Sequence, residues 1–211
     1  MQKKIAIFDL DGVIIEEDIK PFFGSIAYGI ETVFGKMQMP KEHLHFETDT
    51  DAVLTLAKYN SIPKQRVLSE IHRIHRNSGK FIEEKIDSVD LPIIKGIKYV
   101  IDEAKRAGYI LCIATGNTRL KALLKLNKVG LLENFDVITC SDPDITRKYK
   151  VLAKALAEVR EKWKIKRILH KNVFYIGDSE SDMKASEMLG INFIGIETVI
   201  RNIETHSFVI K

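Results

Sequence analysis

Two acids, Asp9 and Asp11, close the apolar run KKIAIFDL, with Leu10 between them and Gly12 behind. Residues two apart in an extended chain share a face, so the two carboxylates stand side by side and repel. That arrangement calls for a cation, a proton or a chemical task, although Asp and Gly also end strands through their turn preference alone. Three further apolar runs end in residues of matching use. YILCIATG ends in Thr115 and Gly116 and is followed by Asn117, a hydroxyl and a set of backbone amides at a helix start, suited to an anion such as phosphate. As single residues, Thr115 or Asn117 would equally serve as a helix cap. SDPDITRKYK puts Lys148 and Lys150 at the head of the next helix, where a cation opposes the macrodipole; spacing does not separate the two. NVFYIGD and the SESD that follows it supply Asp178 and Asp182, which with Asp9 and Asp11 make an oxygen-rich set suited to Mg²⁺. A carboxylate nucleophile, a second carboxylate, a divalent-metal site, phosphate-binding amides and a cation are the parts that phosphoryl transfer needs.

These residues must be brought together by the elements that carry them. Five short apolar runs, KKIAIFDL, YILCIATG, FDVITC, NVFYIGD and INFIGI, alternate with amphipathic stretches and predict an α/β fold, a doubly wound parallel sheet of Rossmann-like type. Helices are expected after Pro92, with Ile97, Val100, Ile101 and Ala104 on one face and Gly108 as the stop, and over 119–128, 148–163 and 181–189. Residues 16–90 break the alternation. They offer helical periodicity at 22–34, 51–59 and 67–76 but no strand, so the expected organisation is a core of residues 1–15 and 91–211 carrying an all-helical cap of residues 16–90. Leaving the sheet just after the two acids, the cap would lie over the carboxyl ends of the strands, where open α/β sheets bind ligands. In the cap His72, Arg73, His75 and Arg76 cluster; Arg73 and Arg76 are candidate ligands for a substrate carboxylate or second phosphate, and the alternative is a solvated helix face with Ile71 and Ile74 buried.

Composition bounds the rest. The 211 residues, 45% hydrophobic and 29% charged, suit a globular protein and argue against disordered and membrane classes. The net charge of +4 is spread along the chain, so no nucleic-acid or membrane partner is indicated. With no apolar leader at its start, the chain reads as cytoplasmic, as a monomer or homodimer. Cys112 and Cys140 sit in separate apolar runs without zinc-site spacing and read as buried free thiols.

In these motifs the sequence resembles the haloacid dehalogenase superfamily, in its phosphoglycolate phosphatase and β-phosphoglucomutase branch. FDLDGVI is similar to the first family motif, IATGN to the second, the lysine of TRKYK to the third and GDSESD to the fourth; LPIIKGIKYVIDEAKRAGY resembles the return from cap to core. Tyr149 stands where that branch commonly has proline. The resemblance implies that Asp9 is the nucleophile, Asp11 the acid and base, and Thr115 and Lys148 the phosphate ligands. It further implies that Asp9, Asp178 and the Asp11 carbonyl hold Mg²⁺, with Asp182 ligating through water or holding the lysine. The function expected is hydrolysis of a small phosphorylated metabolite through an aspartyl-phosphate. A sugar phosphomutase and a non-catalytic binding protein on the same fold are the alternatives.

Overall fold

The computed structural model describes residues 3–16, 19–41 and 44–204. Five parallel strands, β1 (Ile5–Phe8), β2 (Ile110–Thr115), β3 (Val137–Cys140), β4 (Val173–Gly177) and β5 (Asn192–Gly195), form one sheet in the order β3-β2-β1-β4-β5. All five coincide with the apolar runs. β1 sits at the centre, with Phe8 opposite Ile113 of β2 and Ile176 of β4. The chain winds first to one side of β1 and then to the other, so the loops after β1 and β4 diverge and leave a crevice at their carboxyl ends.

The strands are continuous apolar runs because both faces are covered. Ala6, Phe8, Leu111 and Ile113 pack with residues of α4 (Ile97–Arg106), α5 (Arg119–Lys128) and α8 (Ile196–Glu204). Ile5, Ile7, Ala114 and Tyr175 pack with α6 (Lys148–Lys162) and α7 (Glu180–Leu189) on the other side. Cys112 and Cys140 are free and buried, and burial pushes both thiols up, that of Cys140 to about 12. Among the described residues no helix is long and apolar enough to cross a membrane.

Between β1 and β2 the chain forms α1 (Ile19–Phe34), α2 (Asp49–Tyr59) and α3 (Lys64–Lys85), with an apolar cluster of their own around Ile30, Leu56, Val67 and Ile74. The periodicity ending at Arg76 underestimates α3, which continues to Lys85. Asn77, Ser78 and Gly79 are poor helix formers, and they obscure the pattern in sequence. Tertiary contacts override that propensity: Ser78 Oγ lies 3.0 Å from Ser25 Oγ of α1, Asn77 Nδ2 donates to Thr32 Oγ1, and Gly79 lets Leu120 of α5 approach.

Two glycines of α1 test this packing. A Cβ at Gly29 would lie 2.6 Å from the Ile74 carbonyl oxygen, whereas one at Gly24 meets nothing within 4 Å. Alanine gains about 1 kcal/mol over glycine in a helix interior, and overpacking costs about 1–3 kcal/mol. Gly24→Ala should therefore raise stability in urea unfolding, and Gly29→Ala should lower it.

Candidate active site

Asp9 follows β1 directly, and its amide donates to Ile176 O of β4 at 3.0 Å, which places its side chain at the crevice. Lys148, the first residue of α6, lies buried beneath it: its Nζ donates to Asp9 Oδ2 and reaches Asp182 Oδ1 at 3.2 Å. Lys150 is exposed, so geometry separates the two lysines where spacing does not. α6 begins at Lys148, and Tyr149 occupies the first turn where the family branch commonly has proline, half-buried against the adjacent core. Asp182 is fully buried. Its Oδ1 accepts from Tyr175 Oη at 2.7 Å, and its Oδ2 accepts from the Ser179 hydroxyl and amide in a capping box that starts α7.

The electrostatics follow from this arrangement. Burial pushes Asp9 up, helped by Asp182 and Asp11 and opposed by Lys148, to about 8. Burial pushes Lys148 down, but Asp9 and Asp182 outweigh it and hold its ammonium charged. At Asp182 the cost of burial is outweighed by Lys148, Tyr175 and Ser179, so its carboxyl titrates below the usual range. Carboxylate oxygens of Asp9, Asp178 and Asp182 lie within 4.8 Å of one another. Gly12, at φ 74°, makes room for this cluster: any Cβ there would fall 2.1 Å from Asp178 Oδ2. A cluster of hard oxygens closing on one point, with Lys148 placed to one side, fits a hard divalent cation.

The Asp11 carboxyl is not in that cluster. It turns outward, accepting from Lys125 Nζ at 2.6 and 2.8 Å and from Asn117 Nδ2 at 2.6 Å. Of Asp11 only the backbone carbonyl is left as the expected metal donor. Asn117 also donates to Thr115 Oγ1 at 2.8 Å, so the TGN turn is fastened to the second acid. Phe22 of α1 covers Lys125, its ring centroid 3.7 Å from Nζ. Lys121 and Lys125 are functional neighbours that sequence reading passes over. The signal was present: both fall one turn apart on the face of α5 that buries Ala122 and Leu126, an unusual place for lysine.

The segment ahead of α2 seals this site from above. Glu47 accepts from the Lys148 amide at 2.7 Å and pairs with Arg147, Thr48 Oγ1 donates to Ile145 O, and the Asp49 amide donates to Gly116 O. A Cβ at Gly116 would lie 2.2 Å from Glu47 O, so glycine permits the contact. Asp49 also accepts from the Thr118 amide at 2.8 Å and faces Lys121 at 3.3 Å. Burial pushes Asp49 up, but Lys121 and the Thr118 amide pull its carboxyl below the usual range. Nearby, burial lowers His75 to about 4 despite Asp49.

These surfaces border a half-open cavity of about 940 Å³ lined by Asp9, Asp11, Thr115, Gly116, Asn117, Lys148 and Asp178 among others. Arg73 and Arg76 are not brought to it. Both are exposed on α3, Arg73 reaching Glu70 at 3.8 Å, because Ile71 and Ile74 claim the inward face. The basic cluster is a solvated helix face with His75 turned in.

Lys121 is 1% exposed, and removing its partner would strand a buried charge, at a cost of about 3–5 kcal/mol. Asp49→Leu should lose about that much in urea unfolding, and Asp49→Leu with Lys121→Met should recover most of it, since an apolar pair carries no uncompensated charge.

Solved structures share this fold. A hydrolase from Pseudomonas syringae aligns with TM-score 0.66 at 16% identity, covering 92% of this chain and 84% of its own. A predicted phosphoglycolate phosphatase from Haemophilus somnus 129pt aligns with TM-score 0.65 at 17% identity, covering 92% and 85%. CbbY from Rhodobacter sphaeroides in complex with phosphate also gives 0.65, at 20% identity and 92% and 86% coverage. No curated protein matches the chain in sequence. The model of the haloacid dehalogenase-like hydrolases matches residues 6–196, which span the sheet and every acid and lysine described above, and the chain belongs to that family.

Proposed function

We propose that the chain is a Mg²⁺-dependent phosphatase that hydrolyses a small phosphate monoester through an aspartyl-phosphate. The observation that carries this reading is the split environment of the two acids: Asp9 buried against Lys148 and beside Asp178, Asp11 facing the cavity under Lys125 and Asn117. On this reading Asp9 attacks and Asp11 moves a proton.

Asp9 Oδ attacks phosphorus, and the bond from phosphorus to the leaving oxygen breaks as the Asp11 carboxyl gives that oxygen its proton. The Asp11 carboxylate then takes a proton from water, whose oxygen attacks phosphorus, releasing inorganic phosphate and restoring Asp9. Lys148, Thr115 Oγ1 and the amides of Gly116 and Asn117 bind the phosphoryl oxygens, while Asp182 holds Lys148 in place. The carboxylates of Asp9 and Asp178 with the Asp11 carbonyl would hold Mg²⁺, which when bound neutralises the charge between an anionic nucleophile and an anionic ester. Lys125 and Asn117 keep the Asp11 carboxyl pointed at the leaving group. Residues 16–90 act as a cap domain over the core, with the Glu47–Asp49 segment closing on the loops that carry Thr115 and Lys148 and excluding bulk water.

Chelation of divalent metal should abolish phosphate release from monoesters, and added Mg²⁺ should restore it. Asp9→Asn should reduce turnover to background with the fold intact by circular dichroism. Asp11→Asn should slow turnover by about 10²–10⁴-fold, the usual contribution of a general acid. Undiminished activity in any of these cases would overturn the assignment concerned.

A further inference from the structure

Beyond the transferred phosphoryl group, no lysine or arginine among the described residues lining the cavity lacks an acid partner. Its described lining carries eight carboxylates against four lysine or arginine side chains. Each of those four is already engaged: Lys148 by Asp9 and Asp182, Lys125 by Asp11, Arg147 by Glu47 at 2.8 Å and Lys184 at the rim by Glu180 at 2.6 Å. Glu47 is committed at both oxygens, since the Lys148 amide takes the second, so freeing Arg147 would break the segment that seals the site. Even with a divalent ion bound, the wall remains net acidic before the phosphate dianion arrives. Among the described lining residues a carboxylate or second phosphate on the leaving group would meet no unpaired lysine or arginine and would enter against like charge, and burying an unpaired anion is strongly unfavourable.

What the cavity does offer opposite Asp11 is apolar surface. Phe22 is held on Lys125, the side chain that positions the Asp11 carboxyl, so its ring stands beside the point where the leaving oxygen departs. Phe23 and Phe46 continue the wall as a parallel stack, centroids 5.6 Å apart and planes 6° from parallel, and Ile26 and Leu91 complete it. The volume of about 940 Å³ leaves room for a ring beyond the phosphate.

We infer that the substrate is a phosphate monoester of an uncharged, apolar alcohol, aryl or arylmethyl in character, and that the site discriminates against leaving groups bearing a carboxylate or a second phosphate. This inference rests on the phosphatase reading and deepens it.

The test uses monoesters whose leaving groups are all alkoxides, so that chemistry does not mask recognition: benzyl phosphate, ethyl phosphate and 2-phosphoglycolate, each with Mg²⁺. The expected kcat/KM for benzyl phosphate is at least about tenfold above that for 2-phosphoglycolate, with ethyl phosphate between them; tenfold corresponds to about 1.4 kcal/mol, within reach of one buried ring. Phe22→Ala should shrink the ratio of benzyl to ethyl phosphate. Glu16→Lys, which places an unpaired cation on the exposed edge of the lining, should raise kcat/KM for 2-phosphoglycolate. Calorimetric binding of the same three esters to Asp9→Asn protein gives an order that does not depend on turnover. If 2-phosphoglycolate leads in both rate and binding, the inference falls while the phosphatase reading stands. If no ester is hydrolysed but Asp9→Asn protein binds benzyl phosphate most tightly, the phosphatase reading falls and the preference for an apolar group stands.

Discussion

The arrangement of the site depends on one ammonium group. Asp9, Asp178 and Asp182 crowd their oxygens into a few ångströms at the ends of two neighbouring strands, and two of the three are almost wholly withdrawn from water. Carboxylates so placed repel, and their burial alone would neutralise them. Lys148 is the compensating charge within the chain, held between Asp9 and Asp182. The compensation is uneven. Asp182 receives the lysine together with Tyr175 and Ser179, and titrates below the usual carboxylate range. Among the described residues Asp9 receives the lysine and the Leu10 amide, and burial keeps it high. Of Asp9 and Asp182, the one with fewer fixed partners is left to be completed by something that enters the crevice.

That demand shapes the fold around it. A parallel sheet with both faces covered brings Asp9 and Asp178 close together because β1 and β4 are hydrogen-bonded neighbours that end side by side. α6 must start at Lys148 to drive its side chain down to Asp9, and Glu47 from the segment ahead of α2 accepts the Lys148 amide that a helix start leaves exposed. The helices inserted between β1 and β2 therefore do more than roof the cavity: their polar junction with the core runs through the backbone of the residue that neutralises the acids. Asp49 repeats the arrangement on the other side, taking the Thr118 amide at the head of α5 and pairing with Lys121 one turn away from Lys125.

Legibility in the sequence followed the range of the interaction. The strands were readable because burial on both faces leaves continuous apolar runs, and the acids because they follow those runs at once. The length of α3 was hidden by Ser78 and Gly79, whose small size has meaning only against Ser25 and Leu120, which are remote in sequence. The choice between Lys148 and Lys150 needed the direction of the first turn of α6, and periodicity does not give that. Arg73 and Arg76 looked functional by clustering, but with Ile71 and Ile74 directed inward a helix has no room to direct them inward as well. Lys121 and Lys125 are the instructive omission, because their buried stripe on α5 was itself a local signal.

Asp9 and Asp11 end in different surroundings although only Leu10 separates them. Strand geometry predicts a shared face, and that holds only while the chain stays extended. β1 ends at Phe8, and from there Leu10 O accepts the amides of Ile14 and Ile15 in a tight turn, so Asp11 has already left the strand when Asp9 is still bound to its neighbour's carbonyl. The turn converts two like charges that would repel into a pair aimed at opposite sides of one cavity: Asp9 inward to Lys148, Asp11 outward to Lys125. Each acid has its own lysine, supplied by a different helix. The division of labour proposed for these acids, one a nucleophile and the other a proton carrier, needs this separation, because two acids in one environment would titrate as a coupled pair and neither would be held to a single role.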